Sequence, residues 1–437
     1  MVHPTRKTKR LSRMFALSVV AAALLGGPAI AKSAGPALPA ELLVQLDQAA
    51  SLTPLLQKYP LTLKAQLGAR PIYRLGLVGG ASVDATVSAL AAERGVLEAE
   101  PNLLHQNPEA RRTPIWALGT SDAYVAQWGP GAVGLAAAHK AGTGAGVTVA
   151  VLDTGVDGAH PALAGRLVPG FDFVDGDTDP SETGSLANLA FGHGTHVAGI
   201  VALVALGARI MPLRVLDADG GGDAWTIGAA LLHAADPDGN PATDDGAQVA
   251  NLSLGTVSRT RILRAVERLA SCSVPLAEFA VAGFGDAGYN ADRDRCARGM
   301  KLNIAAAAGN AGSATDREYP AAERGVYGLL AVAASQADAS LAPFSNAGNW
   351  IDLAAPGAGV TSTVPGGGYG VWSGTSMATP FVAGTLALVR GALPAVDAAE
   401  AAKRIADTTR ALCGTKLRQV DAAAAMGVGR VADPACR

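Results

Sequence analysis

The chain has 437 residues, of which 49% are hydrophobic and 5% aromatic, and its formal net charge is −2. A chain of this length and composition can bury a large core, and length alone would allow two or three domains. The charges are balanced and form no block of one sign, which gives no support for a nucleic-acid partner or for binding to an anionic membrane surface.

The N-terminus predicts a secretory signal peptide, residues 1–31. A basic stretch is followed by an apolar run, residues 14–25, and by the small-residue site Ala29-Ile30-Ala31, so cleavage after Ala31 is expected. A membrane anchor is the alternative, but the run is short for a bilayer, and no later segment is long and apolar enough to span one. We therefore expect an exported protein, secreted or periplasmic, with no stable membrane span after signal removal.

A small α+β unit is predicted between residues 41 and 106. Its apolar patterns indicate strands at 41–46, 72–78 and 96–100 and a helix at 83–94. Ser82 is a suitable N-cap for that helix. The following segment, residues 107–114 with Arg111 and Arg112, is expected to be an exposed linker and the zone of proteolytic processing.

Beyond this unit, short apolar runs alternate with helical patterns. The alternation predicts an α/β fold, a doubly wound and mostly parallel sheet with helices on both faces. The predicted strands are 147–152, 208–216, 248–254, 302–308 and 329–334, and the predicted helices are 197–206, 224–235 and 377–393. In such sheets ligands bind beyond the carboxyl ends of the strands.

The chain contains four cysteines, and an even number in an exported protein favours disulfide bonds. Three pairings are open, of which closure of short loops favours Cys272 with Cys296 and Cys413 with Cys436. There is no Cys-x-x-Cys and no His-Glu-x-x-His motif, so a zinc ribbon, a thiol redox site or a zincin is not indicated.

Three short motifs carry an acid, an imidazole and a hydroxyl, the parts of a nucleophilic triad. They are Val-Leu-Asp153-Thr-Gly, Gly-His193-Gly-Thr-His and Gly-Thr-Ser376-Met-Ala-Thr-Pro. Asp153 alone would more simply be a cap or turn residue, and Ser376 alone an N-cap. Ser376 begins a predicted helix, where free amides and the helix dipole favour negative charge. The serine motif lacks the Gly-x-Ser-x-Gly elbow of α/β-hydrolase esterases.

Two further polar residues accompany these motifs. Asn310 follows a predicted strand and Gly309, so its amide is expected at the same sheet edge, where it could donate to an oxyanion; a turn asparagine is the alternative. His196 lies three residues after His193. That spacing permits a metal-binding pair, but no third ligand motif accompanies it.

Taken together, the motifs resemble those of the subtilisin-like serine proteases, the subtilase family, over roughly residues 127–393. The resemblance implies that His193 is the general base, that Asp153 orients it and that His196 is structural. It further implies that Ser376 is the nucleophile and that Asn310 and the Ser376 amide stabilise the oxyanion. The family hydrolyses protein or peptide substrates through an acyl-enzyme and requires no cofactor for the chemistry.

The same resemblance assigns residues 32–112 to a pro-domain and linker, which assists folding and inhibits the peptidase domain, residues 113–437. The end of the pro-domain would lie in the substrate cleft like a product, which makes the chain's own pro-segment a partner. A domain retained in the mature protein is the alternative.

Substrate-binding residues also follow from the resemblance. An extended peptide would pair with an edge formed by Ser253, Leu254 and Gly255. The other wall of the first pocket would be formed by Ala306, Ala307, Ala308 and Gly309. Glu318 falls at the pocket floor, where a carboxylate would favour a Lys or Arg side chain; a solvated surface glutamate is the alternative.

Two acidic segments raise the expectation of structural calcium. The first contains Asp172, Asp175, Asp177 and Asp179 and resembles a calcium loop of the family, except that Asp179 stands where that pattern has Thr. The second spans residues 236–245. A solvated acidic turn is the alternative for both. The segment between Gly255 and Asn310 is longer than in compact family members and is expected to form a disulfide-closed loop near the cleft.

The sequence therefore predicts a monomeric, exported serine endopeptidase made as a self-processing zymogen. Two alternatives stay open: a binding module with the same fold and an inactive site, and a processing peptidase with a single physiological target.

Overall fold

The computed structural model describes residues 36–111, 117–281 and 283–436, together with Met1. The predicted signal peptide beyond Met1 lies outside these residues, as does Arg112. The helices and strands within these ranges belong to one unit, residues 35–437. None of the helices in the described ranges combines the length and the apolar character needed to cross a bilayer.

The N-terminal part is an antiparallel sheet with two helices. Its strands are β1 (Ala37–Leu46), β2 (Leu61–Gln66), β3 (Ile72–Leu77) and β4 (Val96–Gln106), in the order β2-β3-β1-β4, and its helices are α1 (Leu52–Lys58) and α2 (Val83–Leu90). The predicted N-cap is present, because Ser82 Oγ accepts from Ala85 N at 3.4 Å. Helix α2 ends at Leu90, earlier than expected, and neither α1 nor β2 was predicted.

Strand β1 contributes side chains to two hydrophobic cores, because its successive residues point to opposite faces. Leu42, Val44 and Leu46 pack inside the N-terminal part. Leu43 points to the opposite face and joins the large core beneath the helices of the main domain. Because successive side chains of a strand point to opposite faces, one strand can serve both cores.

The expectation of an exposed linker after β4 is wrong for its first part. Asn107 is fully buried and Glu109 is 8% exposed. A short 3₁₀ turn, Pro108–Arg111, follows the strand. The chain here lies inside the molecule because β4 continues across the main domain and pairs with strand β9 (Gly221–Asp223).

The main domain contains a nine-stranded sheet, in the order β16-β17-β13-β12-β11-β10-β6-β8-β7. Its parallel strands are β6 (Thr148–Asp153), β7 (Phe171–Asp172), β8 (Arg209–Arg214), β10 (Val249–Leu252), β11 (Asn303–Ala307), β12 (Leu329–Ser335), β13 (Leu353–Pro356) and β17 (Arg418–Gln419), and β16 (Arg410–Ala411) is antiparallel to β17. The predicted α/β class and its mostly parallel sheet are confirmed.

Helices cover both faces of this sheet. The helices of the main domain are α3 (Ser121–Ala126), α4 (Trp128–Ala132), α5 (Leu135–Ala141), α6 (His193–Val204), α7 (Ala224–Ala235), α8 (Arg261–Ala270), α9 (Asn290–Ala297), α10 (Thr375–Ala392), α11 (Ala398–Asp407) and α12 (Ala422–Ala425). Residues of α7 and α8 line one core and residues of α6 and α10 line the other. A small sheet of β5 (Ala117–Gly119), β14 (Val360–Val364) and β15 (Gly368–Trp372) completes the fold.

Both locally closed disulfides are present. Cys272 bonds to Cys296 and Cys413 bonds to Cys436, which confirms the pairing that short-loop closure favoured. The first bond closes the long segment before β11. That segment contains the 3₁₀ turns Leu276–Ala280 and Ala287–Tyr289 and helix α9.

Candidate active site

The acid and the imidazole of the predicted triad meet at the carboxyl end of the sheet. Asp153 is the last residue of β6, and its Oδ1 accepts from the Thr154 amide at 2.8 Å. The same oxygen lies 2.7 Å from His193 Nδ1. Both side chains are fully buried, so this bond fixes the ring orientation.

Helix α6 begins at His193 itself, four residues earlier than the predicted helix. The preceding residue, Gly192, has φ of 86°, in the left-handed region that glycine tolerates best. This backbone turn starts the helix early and places the imidazole on its first turn, facing the end of β6.

The second histidine has a different environment. His196 is fully buried, its ring stacks on Trp372 with centroids 5.0 Å apart, and its Nε2 lies 3.2 Å from Gly370 O. Burial lowers the pKa of His196 to about 3, so this ring is neutral. Its contacts are those of a packed core side chain rather than of a metal ligand or a base.

The hydroxyl of the triad lies at the start of α10. Ser376 is the second residue of that helix and is fully buried. Its Oγ lies 3.2 Å from Ser253 O and donates to Glu109 Oε2 at 2.5 Å. Glu109 Oε2 also lies 3.3 Å from His193 Nε2, so the hydroxyl and the imidazole meet at one oxygen atom.

Asn310 is held with its amide group toward the same point. Its Oδ1 accepts from both the amide and the hydroxyl of Thr375, each at 2.9 Å. That orientation turns Nδ2 toward the serine, and Nδ2 donates to Glu109 Oε1 at 2.7 Å. The asparagine side chain is therefore held as a donor that points toward the carboxylate beside Ser376.

Glu109 is the residue that sequence reasoning missed. Its carboxylate accepts from Ser376 and Asn310 and faces His193. Burial opposes its ionisation, but the bonds from these three side chains outweigh that effect and hold the pKa of Glu109 below its ordinary value. Burial likewise would lower the pKa of His193, but the carboxylates of Asp153 and Glu109 raise it to about 10. No local motif marks a lone glutamate for such a position.

The chain before Glu109 lies in a cleft as an extended strand. Gln106 and Gly255 exchange two backbone hydrogen bonds, each of 2.9 Å, and Asn107 N donates to Gly220 O at 3.2 Å. On the other side, Leu104 pairs with Asp223 in β9. The segment is thus sandwiched between two backbone edges, one of which is the predicted edge 253–255.

Two of the predicted substrate-binding residues have defined side-chain contacts. Ser253 Oγ donates to Ser376 O at 2.9 Å, whereas the Leu254 side chain packs into the core. The residues predicted for the other wall are buried at the end of β11 and just after it, namely Ala306, Ala307, Ala308 and Gly309.

Glu318 is 3% exposed, so the alternative of a solvated surface residue is wrong. It lies close to two residues of the predicted pocket: a Cβ placed on Gly255 would be 2.6 Å from its Cγ, and one placed on Gly309 would be 3.0 Å from its Oε2.

The acidic segment near β7 does not fit a calcium ion held by all four predicted carboxylates. Arg214 donates to Asp172 and to Asp175, each at 2.5 Å, so a guanidinium already lies between them. Asp177 accepts from the Asp179 amide at 2.9 Å, and Asp179 accepts from Ser181.

Within the described residues, one acidic group has carboxylate oxygens close enough together for a metal ion. It comprises Asp236, Asp238 and Asp245 in the second segment.

Comparisons with known proteins agree with this geometry. Residues 144–429 match the family model described as the subtilase family. The chain is similar to thermophilic serine proteinase of Bacillus sp. strain AK1, with 36% identity over 70% of this chain and 66% of that protein. It is also similar to thermitase of Thermoactinomyces vulgaris, with 35% identity over 60% of this chain and 81% of thermitase.

A solved structure extends the likeness of fold to the N-terminal part. Fervidolysin from Fervidobacterium pennivorans, described as a keratinolytic enzyme related to subtilisin, superposes with a TM-score of 0.67 and 22% identity. The match covers 91% of this chain and 62% of fervidolysin.

Proposed function

Because this chain belongs to the subtilase family of serine proteases, we propose that it is an exported endopeptidase made as a self-processing precursor. Residues 1–31 would be the signal peptide, residues 32–112 the pro-segment with its linker, and residues 113–437 the peptidase domain. The observation that carries the proposal is the convergence of Ser376, His193 and Asn310 on one buried carboxylate, with Asp153 behind the imidazole.

In the proposed reaction, Ser376 Oγ attacks the scissile carbonyl carbon while its proton passes to His193 Nε2. The carbonyl oxygen becomes an oxyanion, which Asn310 Nδ2 and the Ser376 amide stabilise. His193 then gives the proton to the departing amine, and the C–N bond breaks to leave an acyl-enzyme. A water molecule attacks the ester by the same steps and releases the acid product. Asp153 keeps the imidazole in the tautomer that this sequence needs.

The assignment of a pro-segment is supported by contacts along β4. Glu100 accepts from the amides of Arg261 and Ile262 at 2.8 and 3.0 Å, which satisfies the free N-terminus of α8. Asn102 Oδ1 accepts from Trp225 N at 3.2 Å at the start of α7. The N-terminal part is thereby bonded to both helices, and its last strand leads into the cleft.

The experiment is self-processing of the full-length chain. Wild type is expected to yield a mature form, whose N-terminus is found by sequencing and whose mass is measured intact. Ser376→Ala is expected to stay uncut, because the nucleophile is lost. Ser373 is an exposed serine three positions before Ser376 and supplies the matched control. Ser373→Ala is expected to process like wild type. Normal processing of Ser376→Ala would contradict the proposal.

A further inference from the structure

The carboxylate of Glu109 occupies the place where the proposed reaction needs the scissile carbonyl. We propose that this side chain is the ligand of the oxyanion site in the precursor and the group that keeps the precursor latent. The inference rests on the proposed function and deepens it. Its basis is that one carboxylate contacts Asn310 Nδ2 at 2.7 Å, Ser376 Oγ at 2.5 Å and His193 Nε2 at 3.3 Å.

The backbone places a side chain, and not a main-chain carbonyl, at this point. The extended pairing with β9 and Gly255 ends at Asn107, and the chain then enters the 3₁₀ turn Pro108–Arg111. The turn takes the backbone off the strand path and directs the Glu109 side chain toward α10.

The site leaves room for that carboxylate only because of a glycine. A Cβ placed on Gly374 would lie 1.6 Å from Glu109 Oε1, so any larger residue there would displace the carboxylate. The side chain is also only 8% exposed. Charge-assisted bonds of this kind are stronger than neutral ones, and more so where water is excluded.

Two chemical consequences follow. Ser376 donates its proton to Glu109 and not to the imidazole, so the nucleophile is not activated. His193 lies between two carboxylates as an imidazolium, and a charged ring cannot accept a further proton. No covalent bond is made or broken while Glu109 occupies the site. Self-processing therefore requires the carboxylate to withdraw before a peptide group can enter the site.

The test compares full-length precursors of wild type, Glu109→Gln and Glu109→Ala. Each is exposed to a fluorophosphonate probe, which labels an activated serine, and the rate of self-processing is followed in parallel. Loss of a charge-assisted bond predicts labelling and processing faster by about tenfold or more, with Ala faster than Gln. The amide of Gln can still accept from Asn310, and Gln preserves the shape if Ala impairs folding.

Controls separate this inference from the proposed function. Asp84→Asn removes an exposed carboxylate of the same N-terminal part and is expected to behave like wild type. Equal rates for wild type and both Glu109 variants would overturn the role of Glu109 while leaving the peptidase intact. Absence of labelling in every form, including processed enzyme, would contradict the peptidase itself and this inference with it.

A second and independent observation concerns the described part of the disulfide-closed segment, residues 272–281 and 283–296. We infer that it is a docking surface for the chain's own pro-segment, an inference that also rests on the proposed function. Arg70 forms a two-bond ion pair with Asp292, each bond 2.7 Å long, and Asp292 is 2% exposed. Gln45 Nε2 donates to Tyr289 Oη at 3.1 Å.

Backbone and apolar contacts extend the same surface. Ala49 N donates to Asp286 Oδ2 at 3.0 Å. Gly288 approaches Ala69 so closely that a Cβ on the glycine would lie 2.1 Å from Ala69 O. Leu67 of the N-terminal part packs in the same core as Phe284 and Tyr289. The segment therefore presents a charged, a polar and an aromatic contact to one partner.

The test is a double-mutant cycle on Arg70 and Asp292 in the full-length chain. Arg70 lies in the proposed pro-segment, so Arg70→Ala leaves the sequence of the mature enzyme unchanged. Any effect on the rate therefore comes from the pro-segment. Arg70→Ala and Asp292→Ala are each expected to make activity appear about tenfold faster after processing, and the double variant no faster than either single one. The ion pair of Glu98 and Arg261 lies at the surface and supplies the control. Glu98→Ala is expected to change the rate at which activity appears by less than about twofold.

An unchanged rate in both single variants would overturn the docking role. A wild-type chain that never becomes active would instead contradict the proposed function and the docking role together.

Discussion

The hydroxyl of Thr375 donates to Asn310 Oδ1 and accepts from the Gly309 amide at 3.1 Å. The Thr375 side chain thus joins the loop that follows β11 to the first turn of α10. Because the bonded oxygen belongs to the asparagine amide, the bond also decides that its NH₂ group faces the serine. The donor geometry depends on a residue that takes no part in the chemistry.

Thr375→Val is accordingly expected to lower kcat by roughly tenfold with KM nearly unchanged, since a donor used mainly in the transition state becomes misdirected. Asn310→Leu removes the donor and should cost about 10²–10³ in kcat, a magnitude for which subtilisin, a member of this family, is the reference case. Steady-state kinetics on a peptide amide measure both. Thr385→Val, farther along α10, is the control, and an equal loss there would indicate a general effect of threonine removal.

Glu318 is expected to select basic side chains in the first pocket. Substrates with Lys or Arg before the scissile bond should be cleaved faster than those with Phe or Leu, because a carboxylate in a buried pocket attracts a positive side chain more strongly than one in water does. Glu318→Gln should reduce that preference by about tenfold or more, measured as the ratio of kcat/KM values. Asp316→Asn, an exposed acidic neighbour, is the control. Equal or faster cleavage after Phe or Leu in wild type would exclude this role.

The pairing of the His193 ring with the carboxylates of Asp153 and Glu109 predicts a pH dependence of precursor stability. The folded pKa of His193, about 10, lies above the ordinary value of 6.5. The stabilising contribution of this group is therefore fully present below pH 6.5 and is lost as the pH rises toward 10. Urea unfolding of the uncut Ser376→Ala precursor across that range measures the loss. The double variant with Glu109→Gln should show a shallower decline, and identical slopes would contradict the coupling.

Arg214 is expected to be a major contributor to stability near β7. Arg214→Met removes the cation between Asp172 and Asp175 and leaves Asp172 buried without its partner, which should cost about 3–5 kcal/mol. Arg209→Met, an exposed position on the same strand, is the control. Thermal unfolding is measured with calcium and with a chelator. We expect that calcium binding at this loop does not change the melting temperature of wild type. A calcium-dependent rise that Asp177→Asn abolishes would show that the loop does bind the ion.

The local patterns of this chain carry much of the fold. Apolar runs predicted five strands of the main sheet to within two residues at every end, because parallel strands buried on both faces must be apolar throughout. The helix that carries His193 began earlier than its apolar pattern, since Gly192 and not hydrophobicity sets its start. Helix α1 and strand β2 were not predicted, because their patterns are short and mixed.

Sequence by itself determined the family, the α/β class and the residue types of the site. Asp153, His193 and Ser376 are recognisable because each lies beside glycine or other small residues. These neighbours let the backbone come close to the reactive side chain, so the site leaves a local sequence motif. Tertiary structure alone decided the place of Glu109 and of Arg214 between its two aspartates. Such contacts join residues tens to hundreds of positions apart, and a pairing made through space imposes no pattern on the neighbours of either partner.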